Sequence, residues 1–455
     1  MNDKIVKLGA GSGYWGDAWD RALELVENGN LDYVCFDMLG EPTITPLQLE
    51  MRKDPSKGYV PVVSVMAREI LPAALKNNVK MVTNAGGVNP QSAGERFIEA
   101  AKEKGQKGFK VGVVTGGHEE VLDAFRKLRE KGHSFKNMDT GEEVDKIADK
   151  IVTGYVYTGS ESIVTALKQG ADVVLAGRCA DDSLYLGPLM HEFNWAEDDW
   201  DLLAAGVTIG HSIECGGLTT GGMTSRWRYS IDPANLGYPI AEVKSNGESI
   251  ITKIPGTGGL VDEVTVAEHV LYEVGDPANY IMPEVVADLT TVHLEQIEKD
   301  KVKMSGLKGK KRTDGLKLIL AYPGGYIAEG MFGFPRPAAM EKAQHTLDIL
   351  KKRLEKAGFT PEETRIDFLG INSLHGPAAP EPQVEPNEVW VRIASRCKDY
   401  KGAITLLREM SPLITLAPAS MANKFNPPRP REAYGLWPTL IPREEVKTEA
   451  IIMEA

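Results

Sequence analysis

Three groups of residues in this 455-residue chain bear side chains suited to catalysis. His211, Glu214 and Cys215 fall within one helical turn of each other, so a helix would place His211 and Cys215 on one face. In that arrangement the thiol is a nucleophile, His211 or Glu214 moves protons, and Gly216 and Gly217 offer backbone N–H groups to an oxyanion. A buried, inert cysteine packed beside glycines accounts for the same letters. In the second group, Arg178 would hold a carboxylate or phosphate through two parallel hydrogen bonds while Asp181 orients it or acts as a base. The plainer alternative is an internal ion pair bracing a turn. In the third group, Asn84 and Asn89 flank Gly86 and Gly87, where amides would polarise a carbonyl or bind a carboxylate. Asn89 before Pro90 also reads as a helix cap. Asp37 is a further candidate base.

The first glycine-rich stretch, Gly9 to Gly16, resembles a ligand cradle. Gly11-Ser-Gly-Tyr-Trp-Gly16 fits G-x-G-x-x-G, and Asp37 follows about twenty residues on, where a dinucleotide site keeps its ribose acid. In such a site the first glycine directly follows the strand, which sets the frame at Gly9 and puts Tyr14 where the third glycine belongs. Asp17 then adds negative charge at the phosphate position. A non-dinucleotide anion cradle at Gly11, Ser12 and Gly13 is therefore expected, with an NAD(P)-dependent oxidoreductase as the alternative. No redox cofactor is expected. His118, His191, His211, Asp37 and Asp181 show no recognised metal-ligand spacing, and no metal site is expected.

These residues need a scaffold, and the chain up to about Gly177 alternates β-branched runs with amphipathic stretches. Strands are expected at Ile5–Leu8, Tyr33–Met38, Lys80–Thr83, Lys110–Thr115, Val152–Tyr157 and Asp172–Ala176. Helices are expected at Arg21–Glu27, Val63–Lys76, Ala93–Lys104, Glu119–Lys131 and Glu161–Gln169. The alternation predicts α/β architecture: a Rossmann-like parallel sheet with helices on both faces, forming a ligand-binding domain over residues 1–230. Ligands of such sheets lie at the carboxyl ends of the strands, where this sequence places its polar, glycine-rich segments.

Residues 231–455 read as an α+β domain with an extended C-terminal tail. Asn246-Gly247 is a type I′ turn signal between two short strands. Strand Leu316–Tyr322, helix Ala338–Lys356, strands Arg365–Gly370 and Glu388–Ser395, and helix Tyr400–Glu409 follow the order of a split βαβ unit. The segment from Pro418 to Pro442 is expected to lie extended over the surface or over a neighbouring subunit.

Acidic residues outnumber basic ones, 64 to 52, for a formal charge of −12, which argues against nucleic acid or an anionic membrane as partner. No apolar run has the ~20 residues that span a bilayer, and a cytoplasmic location is expected. Cys35, Cys179, Cys215 and Cys397 are scattered and support neither a disulfide framework nor a zinc ribbon.

Several longer motifs together resemble one family. They are the Gly9–Asp17 loop, Leu31-Asp-Tyr-Val-Cys-Phe-Asp37, Gly170-Ala-Asp-Val-Val-Leu-Ala-Gly-Arg178 with Ala180-Asp181, and Gly187-Pro-Leu-Met-His191. Gly210-His-Ser-Ile-Glu-Cys-Gly216, Leu271-Tyr-Glu-Val-Gly-Asp-Pro277 and Gly435-Leu-Trp-Pro-Thr-Leu-Ile-Pro442 complete the set. The chain resembles the acyclic terpene utilisation A (AtuA) family along nearly its whole length. That resemblance implies a place in carboxylic-acid or acyl-CoA catabolism, with CoA entering as part of the substrate. It also implies a separate small subunit replacing the C-terminal domain of longer members.

Together these readings lead to an enzyme, homo-oligomeric, that acts on a small or branched anionic acid or its CoA thioester. Acid–base chemistry beside a carbonyl, as in a hydratase, dehydratase or other lyase, requires only positioned bases and a polarised carbonyl. A non-catalytic subunit of a two-component complex is the further alternative.

Overall fold

The computed structural model describes residues 4–118, 120–418, 422–424 and 429–455, with 422–424 as backbone. The first residue of the helix expected from Glu119, and parts of the expected tail, lie outside the described residues. The chain forms two compact units. One comprises the residues up to Lys146, Thr153–Leu320 and Trp437–Ala455; the other comprises Ile147–Val152 and Ala321–Leu436.

In the first unit strands and helices alternate as the sequence pattern predicts. The order is β1 (Ile5–Ser12), α1 (Trp19–Asn28), β2 (Tyr33–Phe36), α2 (Glu41–Lys53), α3 (Val63–Val65), a π-helical turn (Met66–Ile70), α4 (Leu71–Asn77) and β3 (Lys80–Gly87). Next come α5 (Pro90–Glu103), β4 (Lys110–Gly116), α6 (Val121–Glu130), β5 (Thr153–Val156), α7 (Glu161–Lys168), β6 (Val173–Gly177), α8 (Ser183–Phe193) and α9 (Trp200–Ile213). The remaining elements of this unit begin with β7 (Pro239–Lys244), β8 (Ser249–Lys253), α10 (Glu263–Val270), β9 (Tyr280–Ile281) and β10 (Val286–Asp288). They continue with β11 (His293–Glu298), β12 (Lys301–Ser305), β13 (Lys308–Lys310) and the start of β14 (Gly315–Pro335).

Parallel pairing joins β1 to β2, β2 to β3, β3 to β6 and β6 to β4. These strands are buried on both faces, as their near-continuous valine and alanine runs require. Leu8, Cys35, Val82 and Val174 face α7, α8 and α9 in one core. The opposite face packs on α1, α4 and α5. Right-handed crossovers explain the division. Steps from β1 through β4 run one way along the sheet, whereas the return from β4 to β6 runs the other way and carries its helix to the other side. The sheet therefore reverses direction between β3 and β6, and a crevice opens at their carboxyl ends.

The expectations for β5, for an all-parallel sheet and for the β7–β8 turn need correction. Strand β5 forms at the expected place but leaves the parallel sheet and pairs with β14. The sheet itself is mixed and ten-stranded, because β7, β8, β12 and β11 extend it antiparallel beyond β1, while β19 (Thr448–Glu454) runs antiparallel to β4. Residues 231–320 and 437–455 thus belong to the first unit, and the compact units do not divide at 231. The β7–β8 hairpin forms, but only Gly247 takes a positive φ, 83°, and its N–H donates to the Lys244 carbonyl; a left-handed glycine closes an ordinary tight turn in place of type I′.

The second unit takes the later part of β14, then α11 (Ala339–Lys356), β15 (Glu363–Leu369), β16 (Glu388–Cys397), α12 (Tyr400–Met410), α13 (Leu413–Leu416) and β17 (Ala422–Lys424). Its antiparallel order β15-β16-β14-β17 is that of a split βαβ unit. Alternate residues of β16, Val389, Val391 and Ile393, are buried with Leu350 and Leu406 from the helices. β18 (Arg431–Pro442) pairs with β14.

Candidate functional site

The turn leaving β6 carries Arg178, Asp181 and Asp182 into the crevice beside β3. Arg178 is 2% exposed. Its guanidinium donates to the Leu39 carbonyl, lies 3.0 Å from Asp181 Oδ1 and stands 4.1 Å from the centre of the Tyr157 ring. An arginine so enclosed braces Asp181. Behind this pair, Asn84 Nδ2 donates to Asp37 Oδ1 at 2.6 Å, and Asn84 Oδ1 accepts from the Met38 N–H at 2.7 Å. Burial, reinforced by the nearby Asp181 charge, pushes the Asp37 carboxyl up to about 8. Burial also raises Asp181, although Arg178 pulls it down.

The facing wall comes from α9. Every residue from Leu203 to Ile213 is buried, with Thr208, His211 and Ser212 the polar ones among them. Small residues let it approach its neighbours. A Cβ at Gly210 would stand 3.0 Å from the Asp182 carbonyl oxygen, so the glycine brings the end of α9 against the start of α8. That contact sets His211 and Glu214 beside Asp182. His211 Nδ1 lies 3.1 Å from Glu214 Oε1 and 3.3 Å from the Tyr280 hydroxyl, which donates to Asp182 Oδ2 at 2.9 Å. Burial first, and mutual repulsion second, hold Asp182 well above the usual carboxylate range. For Glu214, burial and then the Asp181 charge act in the same direction. Behind His211, His269 is depressed to about 3 by burial and by the His211 charge.

A cavity of about 350 Å³ opens onto these groups, within the range of small-molecule sites. Asp181, Asp182, His211, Glu214 and Tyr280 line one part of it; Met138, Ile281, Met282, Leu316 and Leu440 give it an apolar side. Lys317 also faces it, with its Nζ 2.6 Å from Glu41 Oε1. Glu273 lines it at φ 60°, a left-handed conformation that a glutamate rarely holds.

Of the residues singled out by sequence, Asp181, His211 and Glu214 meet at this cavity, while Arg178, Asp37 and Asn84 lie behind it. The others have structural partners. Strand β1 continues through Gly9 and Gly11, where a Cβ would strike Leu31 at 2.5 Å and Phe36 at 2.3 Å, so these glycines admit neighbouring side chains. A Cβ on Gly13 would meet the Cys215 backbone at 2.6 Å, and the Gly13 N–H already donates to Asp17 Oδ2 at 2.8 Å. The anion at that loop is the chain's own Asp17. Ser12 Oγ donates to the Asp37 carbonyl at 3.0 Å.

A Cβ on Gly86 would meet the Ala176 carbonyl at 2.5 Å, and Gly87 has φ 59°. Asn89 caps α5 through Ser92 and donates to the Pro55 and Lys57 carbonyls. Gly216 has φ 60°, and a Cβ on Gly217 would strike Leu236 at 2.3 Å. Burial drives the Cys215 thiol well above its ordinary range, away from the thiolate that a nucleophile needs. Sequence reasoning missed Asp182, Tyr280, Tyr157 and Lys317. Asp182 follows Asp181 directly and was within reach; the others come from distant segments with no local pattern.

These features define a mixed α/β protein with a crevice at the reversal point of its sheet. The family model described as acyclic terpene utilisation family protein AtuA matches residues 6–452, and the chain belongs to that family. No curated protein sequence matches it. Among the described residues no helix is long and apolar enough to cross a membrane.

Proposed function

We propose that this chain is an enzyme of carboxylic-acid catabolism, as its family's name for acyclic terpene utilisation suggests, and that it carries out acid–base chemistry beside a carbonyl. The observation carrying this reading is the cavity in which four acidic side chains and His211 meet an apolar wall. Hydration, dehydration or a related lyase step fits such a lining. The branched hydrocarbon part of the substrate rests on Met138, Ile281, Met282 and Leu440. Its carboxylate or thioester-linked anionic portion approaches Lys317, the cation on the cavity surface. Asp181, braced by Arg178, exchanges the proton at the carbon next to the carbonyl. In the corner formed by Asp182, His211 and Glu214, the His211 ring donates to the carbonyl oxygen and polarises it.

Of the two alternatives, dinucleotide binding loses support because Asp17 occupies the Gly13 amide that a phosphate would use. The test is hydrogen exchange. Short branched acids and their CoA thioesters are incubated with the protein in D2O and followed by mass spectrometry. Deuterium entering next to the carbonyl, abolished by Asp181→Asn, supports the reading. Exchange that persists in Asp181→Asn, or its absence across the whole panel, overturns it.

A further inference from the structure

The geometry points to a divalent-cation site formed by Asp182, His211 and Glu214. One ligand atom from each lies within 4.8 Å of the other two. All three side chains are buried, at 1%, 3% and 8% exposure. A second, independent observation concerns their unused atoms: apart from the contact of the two carboxyls with each other, Asp182 Oδ1, His211 Nε2 and Glu214 Oε2 have no hydrogen-bond partner among the described residues. A buried polar atom left alone is costly, and unpartnered atoms on all three side chains of one cluster call for a shared partner.

Electrostatics selects the partner's sign. Two buried carboxylates stand together here, with Asp181 and Glu273 on the same cavity. Lys317, the cation lining that cavity, is bonded to Glu41, and Arg178 is engaged with Asp181. A divalent ion would neutralise the pair, and repulsion between the carboxylates would turn into attraction.

The donor set narrows its chemistry. One imidazole with two carboxylates suits Mn²⁺, Zn²⁺ or Co²⁺ better than Ca²⁺ or Mg²⁺, which prefer oxygen alone. Three protein ligands beside an open cavity leave room for a substrate oxygen, the arrangement of catalytic rather than structural ions. Tyr280 supports it from outside by donating to Asp182 Oδ2 at 2.9 Å, as residues behind metal ligands commonly do. The sequence holds no metal-spacing signal because Asp182 precedes α8 while His211 and Glu214 end α9; Gly210 joins the two only in the fold. When bound, the ion supplies Lewis-acid polarisation of a carbonyl or carboxylate oxygen. This deepens the proposed reaction at the same cavity and rests on it only for the ion's role.

Binding is measured without substrate, by electron paramagnetic resonance of free Mn²⁺ titrated into chelator-treated full-length protein, and by Zn²⁺ calorimetry. One ion per chain is expected, with a rise in thermal midpoint on loading. Glu214→Gln and Asp182→Asn keep side-chain size and remove a charge; each should weaken binding about 10-fold or more. Circular dichroism of both variants establishes that they fold; if they do not, His211→Gln serves in their place. Absence of Mn²⁺ and Zn²⁺ binding overturns the inference, as does binding that all folded variants retain. Failure here leaves the hydrogen-exchange test standing, and failure of that test leaves an ion site that does other chemistry.

Discussion

Asp37→Asn should make the protein more stable at alkaline pH and change it little in acid. In the folded chain burial and the neighbouring Asp181 charge keep the Asp37 carboxyl protonated up to about 8, whereas its unperturbed value is 3.8. The unfolded state therefore releases this proton first as pH rises. Folding loses stability across that window and keeps it below the lower value. Each pH unit is worth at most about 1.4 kcal/mol, so the window from 3.8 to about 8 sets a ceiling of ~6 kcal/mol. Asp181 competes for the same Arg178 charge, which spreads the titration over both acids and lowers the expected effect to about 2–4 kcal/mol.

Asparagine cannot ionise, yet its side-chain oxygen still accepts from Asn84 Nδ2 and the Leu39 N–H, the two donors that Asp37 uses. Urea unfolding of both proteins at several pH values reads the difference directly. The variant's stability minus the parent's should climb by about 2–4 kcal/mol from acid to alkaline pH. Parallel profiles would show that Asp37 titrates alike in folded and unfolded chains, and a declining difference would show it ionised in the native state. Either result means that burial does not hold the Asp37 proton in the folded chain.

Two further substitutions probe the cavity. Gly210→Val places methyl groups where the Asp182 backbone already lies within 3.1 Å; it should cost about 1–3 kcal/mol in chemical unfolding and separate His211 from Asp182, with activity falling further than stability. Lys317→Met removes the cation facing the cavity, and an anionic substrate should then show a KM raised about 10-fold or more with kcat changed less. An unchanged KM would place the substrate's anionic group elsewhere.

The parallel strands were legible because runs such as Val-Val-Leu-Ala in β6 satisfy burial on both faces, and helices with one apolar stripe punctuate them. Whether a strand joins the main sheet was not legible. Local pattern is the same for β5, which pairs with β14, as for its neighbours in the sheet. The opening glycines misled for a related reason. A glycine that makes room for Phe36 is written with the same letter as one that makes room for a phosphate, and only the fold distinguishes them. At the cavity, Asp181, His211 and Glu214 stood out because their types and spacing are chemical signals in themselves. Tyr280 and Lys317 reach the same space from segments about 70 and 100 residues beyond α9, a convergence set by tertiary packing alone.

Substrate binding in the cavity between Asp181, His211 and Lys317 can be observed directly. The most direct measurement is a crystal structure of the protein soaked with a short branched carboxylic acid or its CoA thioester. The ligand's carbonyl is expected beside Asp181 and His211, its hydrocarbon part against Ile281 and Leu440, and its anionic group toward Lys317. Density for the acid at the Gly9–Gly16 loop, with the cavity holding only water, would contradict it.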